Sequence, residues 1–209
     1  MALVALPARY DAAVAGLYFM AANATDDTQI TAHAAPAIAD TDTKPIIHLF
    51  NGGEKTLYLD CISLFTIVAN ANATRVFFDV YVDQKGTSCK TSGGTVSTNV
   101  QGCTNKGFTA SGIVVTAGAV VAAPTSSRKI GHAMVRPAIG IALDQYHFSF
   151  GAGLNMSQGA FVQATVQSTY SAMPPAVLQP GGNLMFSQVS PSGATTAMTF
   201  EYQIGWWEL

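Results

Sequence analysis

The last fifteen residues show the clearest alternation of apolar and polar side chains in the chain. A period of two is typical of a half-buried β-strand. Chain ends usually fray unless packing holds them, so the pattern predicts a carboxyl terminus fixed in a sheet. We expect Trp206 in the core and Trp207 as a contact residue. The apolar residues of one parity are Met198, Phe200, Tyr202, Ile204 and Trp206.

The same alternation predicts strands from Pro45 onward. Residues 56–68 and 75–84 are predicted to form an antiparallel pair joined by a short loop. In the second of these, Phe78 and Val80 should point inward, with Asp79 and Asp83 on a solvated or intersubunit face. The predicted strands are residues 46–50, 56–68, 75–84, 113–122, 129–135, 139–150, 161–166, 183–189 and 196–207.

Many short strands without a convincing amphipathic helix indicate a sandwich or a barrel. We predict an all-β fold, a jelly-roll-like antiparallel β-sandwich over residues 46–209, with an immunoglobulin-like sandwich as the alternative. Residues 85–112, rich in Gly, Ser, Thr and Asn, should form a long loop or a lobe of short strands.

Residues 1–45 differ in composition from the rest of the chain. They are rich in Ala. The predicted elements in this region are a short helical turn over 11–16 and a short strand over 16–20. We predict an extended amino-terminal arm that lies on its own subunit or on a neighbouring one. The alternative is a flexible leader.

Charged residues make up only 11% of the chain, against roughly 25% in typical soluble domains. A surface with so few charges is poorly protected against association, which favours an assembly that covers much of it. A neutral surface rich in Thr and Ser is the alternative. The net charge of −2 argues against nucleic acid and anionic membranes as partners.

The amino-terminal residues lack the basic segment and the long apolar core of a signal peptide. No run approaches the ~18 apolar residues that span a bilayer. We therefore expect a protein that is made inside a cell and has no membrane partner.

Candidate chemistry is sparse. The four histidines are scattered, without His-x-His or Cys-x-x-Cys spacing, so we expect no metal enzyme. No nucleophile elbow, phosphate-binding loop or dinucleotide motif is present. We predict a protein that is not an enzyme and has no catalytic residue, cofactor or metal. Asp26, Asp27, Asp40 and Asp42 leave a calcium loop open as an alternative.

The three cysteines leave at least one thiol unpaired. Cys61 lies in an apolar strand pattern and is predicted to be a small buried residue. Cys89 and Cys103 flank a polar segment and could form a disulfide in an oxidising compartment.

Aromatic residues in polar surroundings are the remaining signal. Subunit interfaces and sugar-binding modules both use such residues. The low charge favours an interface. The alternative is a carbohydrate-binding or host-attachment module, with its site formed by the 85–112 loop and Tyr81 or Tyr146. The predicted interface residues are Leu3, Leu6, Tyr10, Tyr18, Phe19, Tyr81 and Trp207.

Two segments near the carboxyl terminus carry a resemblance to a known class. Residues 180–186 (Pro-Gly-Gly-Asn-Leu-Met-Phe) and residues 197–208, ending in Trp-Trp-Glu, are predicted to form a hairpin turned by glycines. Together with the charge-poor composition, this pattern resembles the capsid decoration (cement) and head-fibre proteins of tailed bacteriophages.

The resemblance implies a β-rich structural protein without enzyme residues, usually a homotrimer. Such a protein binds the major capsid protein on the capsid exterior of the virion and is assembled in the host cytoplasm. It would stabilise the shell by bridging neighbouring capsid subunits. A major capsid jelly roll of a small virus is a further alternative.

Overall fold

The computed structural model describes residues 8–23, 30–31, 44–68, 76–84, 86–97, 101–102, 111–122, 127–136, 143–151, 160–163, 166–189 and 198–209. The elements in chain order are α1 (Ala8–Ala15), β1 (Tyr18–Ala22), β2 (Ile30–Thr31), β3 (Ile47–Asn51), β4 (Leu57–Val68), β5 (Val76–Asp83), β6 (Lys90–Val96), β7 (Gln101–Gly102), β8 (Ile113–Val121), β9 (Arg128–Arg136), β10 (Gln145–Phe150), β11 (Ala160–Gln163), β12 (Val166–Met173), β13 (Val177–Leu178), β14 (Asn183–Val189) and β15 (Thr199–Glu208).

The strands form two sheets that pack face to face, which confirms the predicted all-β sandwich. The larger sheet has the order β11-β12-β10-β4-β15-β1-β7, with β13 beside β4 and β2 beside β15. The smaller sheet has the order β6-β8-β3-β14-β5-β9. Pairing is antiparallel throughout the described strands except between β10 and β12, which run parallel. The sequence patterns did not predict β12.

Aromatic rings fill the space between the sheets. Phe78 of the smaller sheet stacks on Phe186 at 5.3 Å between ring centroids and meets Phe148 of the larger sheet edge to face at 5.2 Å. Tyr146 and Phe200 also pack against the Phe78 ring. These side chains are at most 1% exposed. Alternate residues of each strand therefore reach one common core, as the period of two requires.

The sequence predicted two strand pairings that the structure does not contain. β4 belongs to the larger sheet and β5 to the smaller one, so they do not pair with each other. β14 and β15 are divided between the sheets in the same way, so the predicted carboxyl-terminal hairpin is absent. In both cases the chain crosses from one layer to the other. The predicted inward positions are still correct, because both sheets bury their inner side chains in one core.

The amino-terminal region contributes to the sandwich. α1 is followed by β1, which lies between β15 and β7 in the larger sheet. Phe19 of β1 stacks on Trp206 with 6.1 Å between the ring centroids. The helical turn and the short strand predicted for this region are both present. Residues 1–7, 24–29 and 32–43 of the predicted arm lie outside the described residues.

The carboxyl terminus is held by its neighbours on both sides. The backbones of Thr56 and Leu209 exchange two hydrogen bonds, and the Glu208 N–H donates to the Leu17 carbonyl. The indole Nε1 of Trp206 donates to Glu208 Oε1 at 3.1 Å, and Ser111 donates to the same oxygen. The terminus is therefore a fixed strand, as predicted. No helix in the described residues is long and apolar enough to cross a membrane.

Candidate binding face

The outer face of the larger sheet carries a group of partly exposed aromatic rings. We call this surface the aromatic face. It spans β1, β15, β4, β10 and β12, whose alternate residues point away from the core. Its ring-bearing members are Tyr18, Tyr58, Phe65, His147, Tyr170 and Trp207.

One row of this face is built from three rings on neighbouring strands. Trp207 lies opposite Tyr18 on one side and Tyr58 on the other. The Trp207 and Tyr58 rings stack at 5.9 Å and 8°. The Tyr18 hydroxyl donates to Asp60 Oδ2 at 2.9 Å. Burial, with Cys61 and Asp60 nearby, raises the pKa of Tyr18 well above its usual value. Tyr18 therefore remains a neutral hydrogen-bond donor.

A second row is built around an imidazole. His147 lies opposite Ser63 on β4 and Tyr170 on β12. Its ring stacks on Tyr170 at 4.7 Å, and Nδ1 lies 3.0 Å from Ser63 Oγ. Phe65 meets the imidazole edge to face at 6.0 Å. Burial lowers the pKa of His147, so the ring is neutral at pH 7.

Beside the second row the face contains a hollow of about 200 Å³. Its lining residues are Cys61, Ser63, His147, Phe148, Ser149, Tyr170, Ser171 and Ala172. Among the described residues that point outward from these five strands, the ionisable carboxylates are Asp60 and Glu201, and no Lys or Arg is present. The surface is thus aromatic and hydroxyl-rich, with few charges.

The smaller sheet carries a buried polar cluster on its outer side. The Nε2 atom of His48 lies 3.1 Å from Asn183 Oδ1 and 3.4 Å from Cys89 Sγ. Cys89 Sγ also lies 3.8 Å from Met185 Sδ. Burial lowers the pKa of His48, and the nearby charge of Lys90 acts in the same direction. His48 is therefore a neutral imidazole inside the protein.

Asp79 is fully buried, which corrects the prediction of a solvated carboxylate face for Asp79 and Asp83. Its Oδ2 lies 2.7 Å from Lys129 Nζ, and its Oδ1 lies 2.5 Å from His132 Nδ1. The His132 ring stacks on Phe77 at 5.2 Å. The outer side of this sheet is covered around β5, so the strand buries both of its faces.

The predicted interface residues fall in different places. Tyr18 and Trp207 lie on the aromatic face. The prediction for Phe19 and Tyr81 is corrected. The chain itself buries both side chains, so neither offers a partner a surface to contact. Tyr10 lies in α1. Leu3 and Leu6 lie outside the described residues.

The predicted carbohydrate site also changes. Tyr146 is fully buried, and Tyr81 is 7% exposed, so neither ring can serve as a sugar platform. Cys61 is half-buried rather than buried, and it lines the hollow. Cys103 and the four arm aspartates lie outside the described residues. The Cys89–Cys103 disulfide therefore stays a prediction.

Sequence reasoning missed Phe65 and His147 as parts of the face. The parity of β4 and β10 could have assigned both to an outer surface. Predicting the contact between the two rings required knowledge of the register between the two strands. In the described part of the chain, no group of three or more His, Cys, Asp and Glu side chains is placed to hold a metal.

Comparison of the chain with protein-family models, with curated proteins and with solved structures found no match. The site is therefore interpreted from its own geometry.

Proposed function

We propose that this protein is a structural component of a bacteriophage virion that binds the outside of the capsid and bridges neighbouring major capsid subunits. The observation that supports this most directly is the aromatic face. It presents partly exposed rings and hydroxyl groups on a sheet, with two carboxylates and neither Lys nor Arg among its described residues. Interface cores are similarly enriched in aromatic side chains and depleted in charge.

The size of the face is suited to one side of a protein interface. Five strands spaced ~4.8 Å apart, with an average length of about eight residues, give a surface on the order of 600 Å². A standard interface buries ~800 Å² on each partner. The aromatic face therefore supplies most of one contact surface, and the remainder would come from residues at its margin.

The proposed mechanism is bracing of the shell. Each copy would bury apolar area against two capsid subunits, at about 25 cal/mol per Å² before the costs of association. Opening the shell would require those contacts to break. A homotrimer repeated over a capsid lattice would multiply the effect, because linked contacts form at a high effective concentration.

The test is co-sedimentation with expanded capsids of the phage that encodes the chain. Wild-type protein should sediment with the capsids at a fixed ratio of copies to capsid subunits. Tyr170→Ser and Trp207→Ser should each weaken binding by about tenfold or more, since interface aromatics commonly contribute over 1 kcal/mol. Val114→Ser is the matched control, because Val114 is 40% exposed on the other sheet.

Thermal melting of each variant separates loss of binding from loss of folding. Equal binding by wild type, Tyr170→Ser and Trp207→Ser would show that the aromatic face is not the capsid contact. Absence of wild-type protein from the capsid pellet would reject the proposed function itself.

A carbohydrate-binding module is the second candidate. The stacked Trp207 and Tyr58 rings, with hydroxyl and amide side chains beside them, offer the flat apolar surface on which sugar rings pack. Trp206 is fully buried whereas Trp207 is half-buried. A change in tryptophan fluorescence on glycan titration, absent in Trp207→Phe, would favour this candidate. Glycan binding without capsid binding would replace the first proposal.

A further inference from the structure

We propose that Cys89, His48 and Met185 form a buried binding site for a soft monovalent metal ion, copper(I). The three side chains are separated by 41 and 96 residues along the chain and converge on the outer side of the smaller sheet. Met185 lies directly opposite His48 in the pairing of β14 with β3. This site is independent of the aromatic face and of the proposed capsid function.

The spacing of the ligand atoms suits one shared ion. Cys89 Sγ lies 3.4 Å from His48 Nε2 and 3.8 Å from Met185 Sδ. Metal–ligand bonds of ~2.1 Å to nitrogen and ~2.3 Å to sulfur would then subtend angles of about 100° and about 110°. These angles lie close to those of three- and four-coordinate ions. Cys89 Sγ is therefore at a suitable distance from each of the other two ligand atoms to share an ion with it.

Lewis-basic atoms are concentrated at this point. A neutral imidazole has one protonated nitrogen, so Nε2 can donate to Asn183 Oδ1 or accept from the Cys89 thiol, but it cannot do both. Asn183 Oδ1 already accepts the Cys89 backbone N–H at 3.0 Å. A cation would accept the lone pairs of Nε2, Sγ and Sδ together and would relieve this competition.

Thr116 offers a partner for the other imidazole nitrogen. With Nε2 on the metal, Nδ1 would carry the proton. Nδ1 of His48 and Oγ1 of Thr116 are both buried without a hydrogen-bond partner. The two residues lie opposite each other in the pairing of β3 with β8. Thr116 therefore lies on the same side of the sheet as His48 and is the candidate acceptor for a protonated Nδ1.

Ligand softness and charge select copper(I). Thiolate and thioether ligands prefer soft ions such as Cu(I). Binding would replace the thiol proton by the metal, so that a Cys–SH and Cu⁺ give Cys–S–Cu and H⁺. A thiolate with a monovalent ion is neutral overall, whereas Zn²⁺ would leave a net positive charge buried in an apolar setting, which is costly. Tyr81, Ala119 and Val121 form the apolar surroundings of the thiol.

Asn183 positions the segment that carries the thiol. Its Nδ2 donates to the carbonyls of Thr87 and Gly181, while its Oδ1 receives the Cys89 N–H. One side chain thus fixes the 87–89 backbone against β14. We assign Asn183 a positioning role, since it holds Cys89 beside His48.

The test is anaerobic titration of the reduced full-length protein with copper(I) in competition with a chromogenic copper(I) chelator. Titrations are run on folded protein and on protein refolded with the metal, because the ligands are buried. The expected result is one ion per chain, an ultraviolet thiolate-to-copper band, and a higher melting temperature. Copper X-ray absorption should show both nitrogen and sulfur neighbours.

Cys89→Ser, His48→Gln and Met185→Leu preserve approximate side-chain size. Each of the first two should weaken binding more than ~100-fold, beyond the loss usually caused by outer-shell changes. Cys61→Ser and His147→Gln are matched controls on the other sheet and should retain the ion. The proposal is overturned if wild type binds no copper in either protocol. It is equally overturned if Cys61→Ser abolishes binding while Cys89→Ser retains it.

Discussion

Two adjacent tryptophans near the carboxyl terminus occupy different environments. Trp206 is fully buried, stacks on Phe19 and donates to Glu208. Trp207 points the opposite way and stacks on Tyr58 at the aromatic face. The difference follows from the alternation of side chains along a strand. The sequence pattern predicted it, and the structure confirms the core position of Trp206.

Trp206→Ala should lower the free energy of unfolding by about 3–5 kcal/mol, because it opens a large cavity and removes a hydrogen bond from buried Glu208. Trp207→Ala should cost only ~1–2 kcal/mol, since part of that ring already meets solvent. Urea titration followed by circular dichroism measures both. Equal losses would contradict the assigned environments.

Two histidines should make stability depend on pH. Burial lowers the pKa of His48 and of His147 in the folded protein. Below pH ~6.5, the usual histidine value, the unfolded chain binds protons that the folded chain excludes. The free energy of unfolding should therefore fall as the pH drops below ~6.5 and stop falling below the folded pKa values.

Urea unfolding at several pH values between 5 and 8 measures this slope. His48→Gln with His147→Gln should flatten it. Gln145→Ala, which changes a non-titrating neighbour on the same strand as His147, should leave the slope intact. A double histidine variant with the wild-type slope would assign the pH dependence to other groups.

At the scale of elements, period two identifies which face of a strand is buried but leaves its partner open. Residues 57–68 and 76–83 follow each other closely in the chain and show matching alternation. They nonetheless lie in opposite sheets. Both arrangements bury the same side chains, so the local pattern could not distinguish them. The crossing depends on which edges the later strands, especially β14 and β15, leave available.

The turn before β14 depends on a glycine. Gly181 has φ +82°, its N–H donates to the Asn51 carbonyl, and its carbonyl accepts from Gly86. A Cβ at Gly181 would overlap the Gly86 backbone. Gly118 has φ +67° but open space around it, so it provides a matched control.

Gly181→Ala should cost about 2–4 kcal/mol, from left-handed strain combined with the clash. Gly118→Ala should cost only ~1–2 kcal/mol, from left-handed strain alone. Thermal or urea unfolding of the two variants compares them directly. If the two substitutions prove equally destabilising, the clash with Gly86 does not contribute to the free energy of unfolding.

At the scale of the whole molecule, the low content of charged residues predicts self-association. The proposed homotrimer should appear by size-exclusion chromatography with light scattering. Sodium chloride should change the association little, since few charges are involved, whereas sulfate should strengthen it. Trp207→Ser should leave the association unchanged, because the aromatic face is the proposed capsid contact. A monodisperse monomer at all accessible concentrations would contradict the assembly.

The candidate sites were less predictable than the fold. Tyr18 and Trp207 were expected as contact residues, and the structure places both on the outer face of the larger sheet. Phe19 was assigned to an interface because it belonged to the predicted arm, and Tyr81 because alternation cannot tell a covered outer face from an exposed one. His48, Cys89 and Met185 lie too far apart in sequence to suggest a common cluster. Strand register places Met185 opposite His48, and hydrogen bonds to Asn183 hold Cys89 beside them.

The sequence by itself determined the all-β class, the fixed carboxyl-terminal strand and the inward positions of Phe78 and Trp206, because side-chain alternation is a local property. Only the tertiary structure decided which strands pair, that Asp79 is buried, and which side chains from distant strands meet. Those outcomes depend on long-range pairing between segments, and many pairings satisfy the same local pattern.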